Sequence, residues 1–71
     1  MSLPQYLLVE QIEANAKAIG QNLSVLYDPE TPFEYKQVAL SYVYAQGRQI
    51  QQLVDGLYGQ FKQIEQWMAR Q

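Results

Sequence analysis

One row of residues, spaced alternately by three and four positions, constrains the fold of this chain more than any other feature. Its members are Phe33, Lys36, Leu40, Val43, Gly47, Ile50, Val54, Leu57, Phe61, Ile64 and Met68. All except Lys36 and Gly47 are apolar. Residues at this spacing share one face of an α-helix, and the seven-residue repeat is typical of helices that pack lengthwise on other helices. The row predicts a helix over about residues 32–69.

A second row beside the first widens the apolar stripe. Its members follow at intervals of seven: Ala39, Gln46, Leu53, Gln60 and Trp67. The added width at Leu53 and Trp67 exceeds the narrow seam of a two-stranded coiled coil. We therefore expect the second helix to contact more than one neighbouring helix.

The upstream part of the chain has the same periodicity over a shorter length. Its apolar row, again at alternating spacings of three and four, consists of Val9, Ile12, Ala16, Ile19, Leu23 and Leu26. This row predicts a first helix over about residues 4–27 with one apolar seam. Ser2 is a candidate N-cap for it, and Pro4 suits its first turn.

A turn at about residues 28–31 is predicted between the two helices. Pro29 and Pro32 each disfavour helical geometry in the residue before them. Thr31 and Glu34 have the spacing of a capping box, in which each side chain accepts a hydrogen bond from the other residue's amide. The second helix is therefore expected to begin near Pro32, with Thr31 as its cap.

The unequal helix lengths predict self-association. If the two helices fold back on each other at the turn, the first helix ends opposite about Val54. About 25 Å of the second helix, from Asp55 to Gln71, would then have no intramolecular partner. A 71-residue chain without cysteine or histidine has no disulfide and few metal ligands to compensate for a small core. The sequence thus predicts an all-α fold: a single domain over residues 1–71, an antiparallel helical hairpin that associates as a homodimeric helical bundle. The expected self-association interface comprises Ile50, Val54, Leu57, Tyr58, Phe61, Ile64, Trp67 and Met68.

An alternative is a three-helix chain that breaks near Gly56 to Gly59. Asp55 followed by Gly56, with a second glycine three residues later, is a turn signal. The apolar row nevertheless passes through this segment without a change of phase, which favours a continuous helix.

Several function classes find no support in the residues. The five basic residues are scattered and the net charge is -2, which argues against nucleic-acid binding. No apolar run has the length of a membrane span, and no secretory signal is recognisable, so we expect a cytoplasmic location. Without cysteine or histidine, no nucleophile–base pair or transition-metal site stands out. We expect no enzymatic activity, no metal and no cofactor.

The remaining expectation is an interaction, assembly or regulatory subunit that acts through helix surfaces. Its partners would be other copies of the chain, in a homodimer or a higher oligomer, and, in addition, a heterologous protein. Tyrosine is common at binding hot spots, so Tyr35, Tyr42 and Tyr44 are candidate contacts for that protein. The alternative function is a helical bundle that binds a small apolar ligand among tyrosine and glutamine side chains.

Overall fold

The computed structural model describes residues 4–71, which form two helices joined by a short connection. Helix α1 spans Gln5–Tyr27 and helix α2 spans Phe33–Ala69. The helices fold back on each other as a hairpin. Helix α2 is continuous through Gly56 and Gly59, so the expected two-helix architecture is confirmed and the chain broken at these glycines is not observed. Ser2, the candidate cap of the first helix, lies outside the described residues.

The connection is held by Asp28 rather than by a capping box. The Glu30 amide donates to the Asp28 carboxylate at 2.9 Å, and the Thr31 amide donates to the Asp28 carbonyl at 3.2 Å. Pro32 is extended (φ -61°, ψ 152°) and takes the N-cap position, where it makes no side-chain capping hydrogen bond. The capping box predicted for Thr31 and Glu34 is therefore wrong. Because Pro32 delays helical geometry by one residue, Thr31 lies one position too early to cap α2.

The hairpin has a thin core. Among residues 4–71, the buried side chains are Leu8, Ala39 and Leu53. The molecule measures 59 × 19 × 15 Å and has a radius of gyration of 16.8 Å, whereas a compact domain of this length would have about 11 Å. Two helices side by side cannot enclose an interior, so each presents most of its circumference to its surroundings.

A membrane span is not found in the described part of the chain, since neither α1 nor α2 contains a sufficiently long apolar stretch.

Candidate functional site

Helix α1 covers one side of the apolar stripe on α2 and leaves the other side exposed. The residues of α2 that are buried or half-buried against α1 are Lys36, Ala39, Val43, Gln46, Ile50, Leu53, Leu57 and Gln60. Half of these residues are every second member of the first predicted row, and the other half belong to the second predicted row. The remaining members of the first predicted row are exposed, because a single helix is too narrow to cover a stripe of this width.

The facing side of α1 differs from the predicted seam. The residues that alternate by three and four and are buried or half-buried are Gln5, Leu8, Ile12, Asn15, Ile19, Asn22 and Leu26. Ile12, Ile19 and Leu26 belong to the predicted seam, but Val9, Ala16 and Leu23 lie on its exposed flank. The prediction was therefore wrong for half of the row. Leu8, which is 5% exposed, is the most buried residue of α1, and the polar residues Asn15 and Asn22 lie on the same side of the helix and face α2.

A polar contact links the facing sides of the two helices. The Asn22 side-chain amide donates to the Gln46 side-chain oxygen at 3.2 Å, in a partly buried position. The Asn15 amide instead donates to the Gln11 carbonyl of its own helix at 2.8 Å. Polar residues in a helix–helix interface favour one register over others, at some cost in stability.

The exposed apolar rows of α1 and α2 lie on the same side of the hairpin. On each helix, the exposed row lies four residues after positions that face the other helix: Val9 comes four residues after Gln5, and Leu40 four residues after Lys36. If the two helices were parallel, these two rows would lie on opposite sides of the pair. Because the helices of a hairpin are antiparallel, both rows lie on the same side. The other side of the hairpin shows the same geometry. Gln11 of α1 and Gln49 of α2 occupy equivalent positions on that side, and they line one shared depression.

We call the combined surface the uncovered face. It consists of Val9, Ala16 and Leu23 of α1 with Phe33, Leu40, Gly47, Val54, Phe61 and Met68 of α2. Every member is exposed; Leu40 and Phe61, for example, retain 56% and 55% of their surface. None carries a charge. The charged side chains of α2 concentrate instead on the row farthest from α1, at Glu34, Arg48, Asp55 and Lys62.

Helix α1 extends farther along α2 than the sequence pattern predicts. Gln5 lines the same open depression as Gln60, Gln63, Ile64 and Trp67. Counted back from Gln60, the 23 residues of α1 reach to about Val38. The free end of α2 is therefore about 14 Å long, shorter than the expected 25 Å. Because the residues of the connection are extended, α2 begins beyond the end of α1. Each residue of α1 therefore lies opposite a residue of α2 that is closer to the C-terminus than a tight turn would allow.

The residues expected to mediate self-association fall into four groups. Ile50 and Leu57 are half-buried and face α1 within the chain. Val54, Phe61 and Met68 belong to the uncovered face, whereas Ile64 and Trp67 continue the α1-facing side past Gln5. Tyr58 is exposed on the row of α2 that also contains Tyr44, next to the uncovered face, with the Lys62 ammonium 5.6 Å from its ring centroid. The structure thus separates residues that the sequence pattern predicts to share one interface.

The three tyrosines expected to contact a partner protein are all exposed. Tyr44 lies next to the uncovered face. Tyr35 and Tyr42 lie on the opposite flank, on the row that includes Gln49. These three residues therefore do not form one patch.

Charged groups make few contacts. Lys62 lies 3.5 Å from Glu65 in an exposed ion pair, a geometry worth less than about 1 kcal/mol. Within residues 4–71, no three acidic side chains converge in a way that would hold a metal ion.

The predicted interface did not include six residues of the uncovered face: Val9, Ala16, Leu23, Phe33, Leu40 and Gly47. Their common signal is the absence of charge from two rows with the seven-residue spacing. These two rows can be recognised as one surface only when the rotation of each helix about its own axis is known.

No protein-family model, curated protein or solved structure matches the chain.

Proposed function

We propose that this chain is a non-enzymatic interaction protein whose hairpins associate with each other through exposed apolar helix surfaces. In this role it serves as an adapter, a regulatory subunit or an assembly subunit. The proposal depends on the amount of surface that the hairpin leaves uncovered.

The accessible area supports association. The chain exposes 5827 Å², whereas a compact folded protein of 8.2 kDa exposes about 4,500 Å². The excess of about 1,300 Å² per chain corresponds to about 2,600 Å² for a pair, which is typical of permanent homodimers. Large apolar side chains such as Phe33, Phe61 and Trp67 are exposed, and each gains about 1.5 to 3 kcal/mol when fully buried. Pairing is therefore the most direct way for so thin a core to become stable.

Solution mass measured by light scattering across a dilution series tests this proposal. We expect twice the chain mass of 8.2 kDa at high concentration and dissociation, coupled to loss of helix, on dilution toward about 1 µM or below. A folded particle with the mass of one chain at every concentration would overturn the proposal.

A heterologous partner would bind the flank opposite the uncovered face. Tyr35 and Tyr42 are exposed there and combine apolar rings with hydroxyl groups, as binding hot spots often do. Replacing both by alanine should abolish capture of such a partner without changing the self-associated mass. A parallel loss of self-association would contradict this division between flanks.

Binding of a small apolar ligand is a second candidate, supported by the depression at the end of α1. This depression has a volume of about 380 Å³ and combines Ile64 and Trp67 with the amides of Gln5, Gln60 and Gln63. Apolar walls with a few polar groups are typical of ligand sites. An anilinonaphthalene sulfonate titration should then change Trp67 fluorescence saturably, and Ile64→Ala should weaken the effect. A linear, non-saturating response would exclude this site.

A further inference from the structure

The uncovered face has an almost symmetric order of side-chain sizes. On α2, Gly47 is the midpoint of a row in which Leu40 and Val54 lie seven residues away and Phe33 and Phe61 lie fourteen residues away. On α1, Ala16 is likewise the midpoint between Val9 and Leu23. Gly47 therefore lies at the centre of the five α2 members from Phe33 to Phe61, with Met68 beyond one end, and Ala16 lies at the centre of the α1 row. Side chains of similar size lie on either side of each midpoint.

The two midpoints lie at nearly the same level of the hairpin. Asn15, the neighbour of Ala16, lines the same depression as Gln46 and Gln49. Ala16 is therefore within about one helical turn of Gly47 along the long axis. A single line across the face passes close to both small residues.

Gly47 has no packing role within its own chain. A Cβ built at this position meets no atom within 4 Å. Glycine inside a helix costs about 1 kcal/mol relative to alanine, and no contact within the hairpin explains that cost. The approach of another backbone is a physical reason for glycine at an exposed helical position.

We propose that a second copy of the chain packs its uncovered face on this one, about a two-fold axis that crosses the face near Gly47 and Ala16. The axis is perpendicular to the helices, so α2 runs antiparallel to α2 of the partner subunit. Leu40 then packs near Val54 of the partner subunit, and Phe33 packs near Phe61 of the partner subunit. Such self-complementarity is what a two-fold interface requires. The proposal rests on the self-association proposed above and specifies its surface and orientation.

The size and chemistry of the face fit this occupant. The broad side of the hairpin measures 59 by 19 Å, enough for the roughly 800 Å² per partner of a standard interface. The nine side chains of the face carry no charge, so they can meet across two copies without burying an unpaired ion, and the carboxylates of Glu13 and Glu65 lie at its border. The charged row of α2 stays at the solvent boundary in this arrangement.

The lengths of the two rows select the orientation. An axis parallel to the helices would place α2 opposite α1 of the partner subunit. The row of α1 has only three members, and α1 spans α2 only from about Val38 to Gln60. It would leave Phe33 uncovered and would meet Phe61 only with its first turn, beyond the row member Val9. Pairing α2 with α2 covers both phenylalanines, because the row of α2 is longer at each end.

Single-cysteine variants test the position of the axis, since the chain has no cysteine of its own. Gly47→Cys should form an interchain disulfide at least about tenfold faster than the control Gly59→Cys, because a disulfide requires Cα atoms within about 7 Å. Gly59 is a suitable control because it lies on the other flank of α2 and also has open space around its Cβ position. Equal rates, or faster cross-linking of the control, would overturn the proposed axis.

A mixture of Leu40→Cys and Val54→Cys chains gives a second test that keeps Gly47 unchanged. The mixed disulfide should form in preference to both homodisulfides, because only the mixed pair has adjacent thiols across the axis. Preferential cross-linking of Leu40→Cys with Leu23→Cys would instead indicate the parallel axis and overturn the antiparallel arrangement.

Light scattering of the reduced variants separates this inference from the proposed function. A dimer that fails to cross-link at these positions would refute the face and leave self-association standing. A particle of single-chain mass in the unsubstituted protein would refute both.

Discussion

At the scale of single residues, Asp28 has a larger structural role than its exposed position suggests. Its carboxylate and carbonyl accept hydrogen bonds from Glu30 and Thr31, and its own amide donates to the Val25 carbonyl at 3.3 Å. One residue thus ends α1 and shapes the turn before Pro32. Side-chain acceptors of this kind are the physical reason that aspartate is common in turns.

Replacing this acceptor should destabilise the hairpin modestly. We expect Asp28→Ala to lower the free energy of unfolding by about 0.5 to 1.5 kcal/mol, because the Glu30 amide loses its partner. Urea denaturation measures this effect. Asp28→Asn keeps an oxygen acceptor and should be nearly neutral, as should Thr31→Ala, because Thr31 does not cap α2. A larger loss for Thr31→Ala than for Asp28→Ala would contradict this account of the turn.

At the scale of the helix, neighbouring residues of α2 have different tasks. Leu53 is 7% exposed and packs on α1, whereas Val54 is 41% exposed and belongs to the uncovered face. A step of one residue turns a helix by about 100°, enough to move a side chain from the intramolecular contact to an outer surface. The wide stripe on α2 therefore serves one neighbour within the chain and leaves room for another outside it.

Truncation of Leu53 should destabilise the contact between the helices. Leu53→Ala is expected to cost about 2 to 5 kcal/mol in the free energy of unfolding, because it leaves a cavity between α1 and α2. Val38→Ala is a suitable control, since Val38 is exposed and lies outside both the facing row and the uncovered face. Similar losses for the two variants in urea denaturation would argue against the observed phase of α2.

The continuity of α2 can be tested at Gly59. Because a Cβ there meets open space and the backbone is helical, Gly59→Ala should raise the free energy of unfolding by about 1 kcal/mol. Thermal unfolding followed by circular dichroism provides the measurement. A decrease in stability, with loss of helical signal, would indicate a turn at this position.

At the scale of the whole molecule, the large ratio of exposed surface to buried core limits the stability of the hairpin. The hairpin is 59 Å long but only 15 to 19 Å thick, so lengthening the helices adds surface as fast as contact. A domain can overcome this limit by adding layers, and a short chain can obtain a second layer from another copy. In the proposed dimer, folding and association are therefore one equilibrium.

This coupling predicts that thermal stability depends on concentration. A tenfold increase in chain concentration should stabilise the dimer by about 1.4 kcal/mol and raise its melting temperature by several degrees. The uncovered face has no charged residue, so the dissociation constant should change little between about 0.05 and 0.5 M sodium chloride. Calorimetry at several protein and salt concentrations measures both effects. A steep loss of affinity with salt would point to an interface through the charged row instead.

The sequence by itself determined the two helices, their approximate ends and the hairpin connection, because periodicity and proline act locally. It also indicated that α2 has more apolar width than one partner needs. Which side of each stripe faces inward was decided only by the tertiary structure. Leu8 and Leu53 are buried between the helices and Val9 and Val54 are exposed, although all four are apolar. The reason is that each helix is rigid, so a single rotation about its axis decides which residues face the other helix along its whole length. The extended connection around Pro32 likewise fixed the register, which brought Gln5 beside Gln60 and shortened the free end of α2. The uncovered face follows from these two long-range choices, and no local pattern could have specified it.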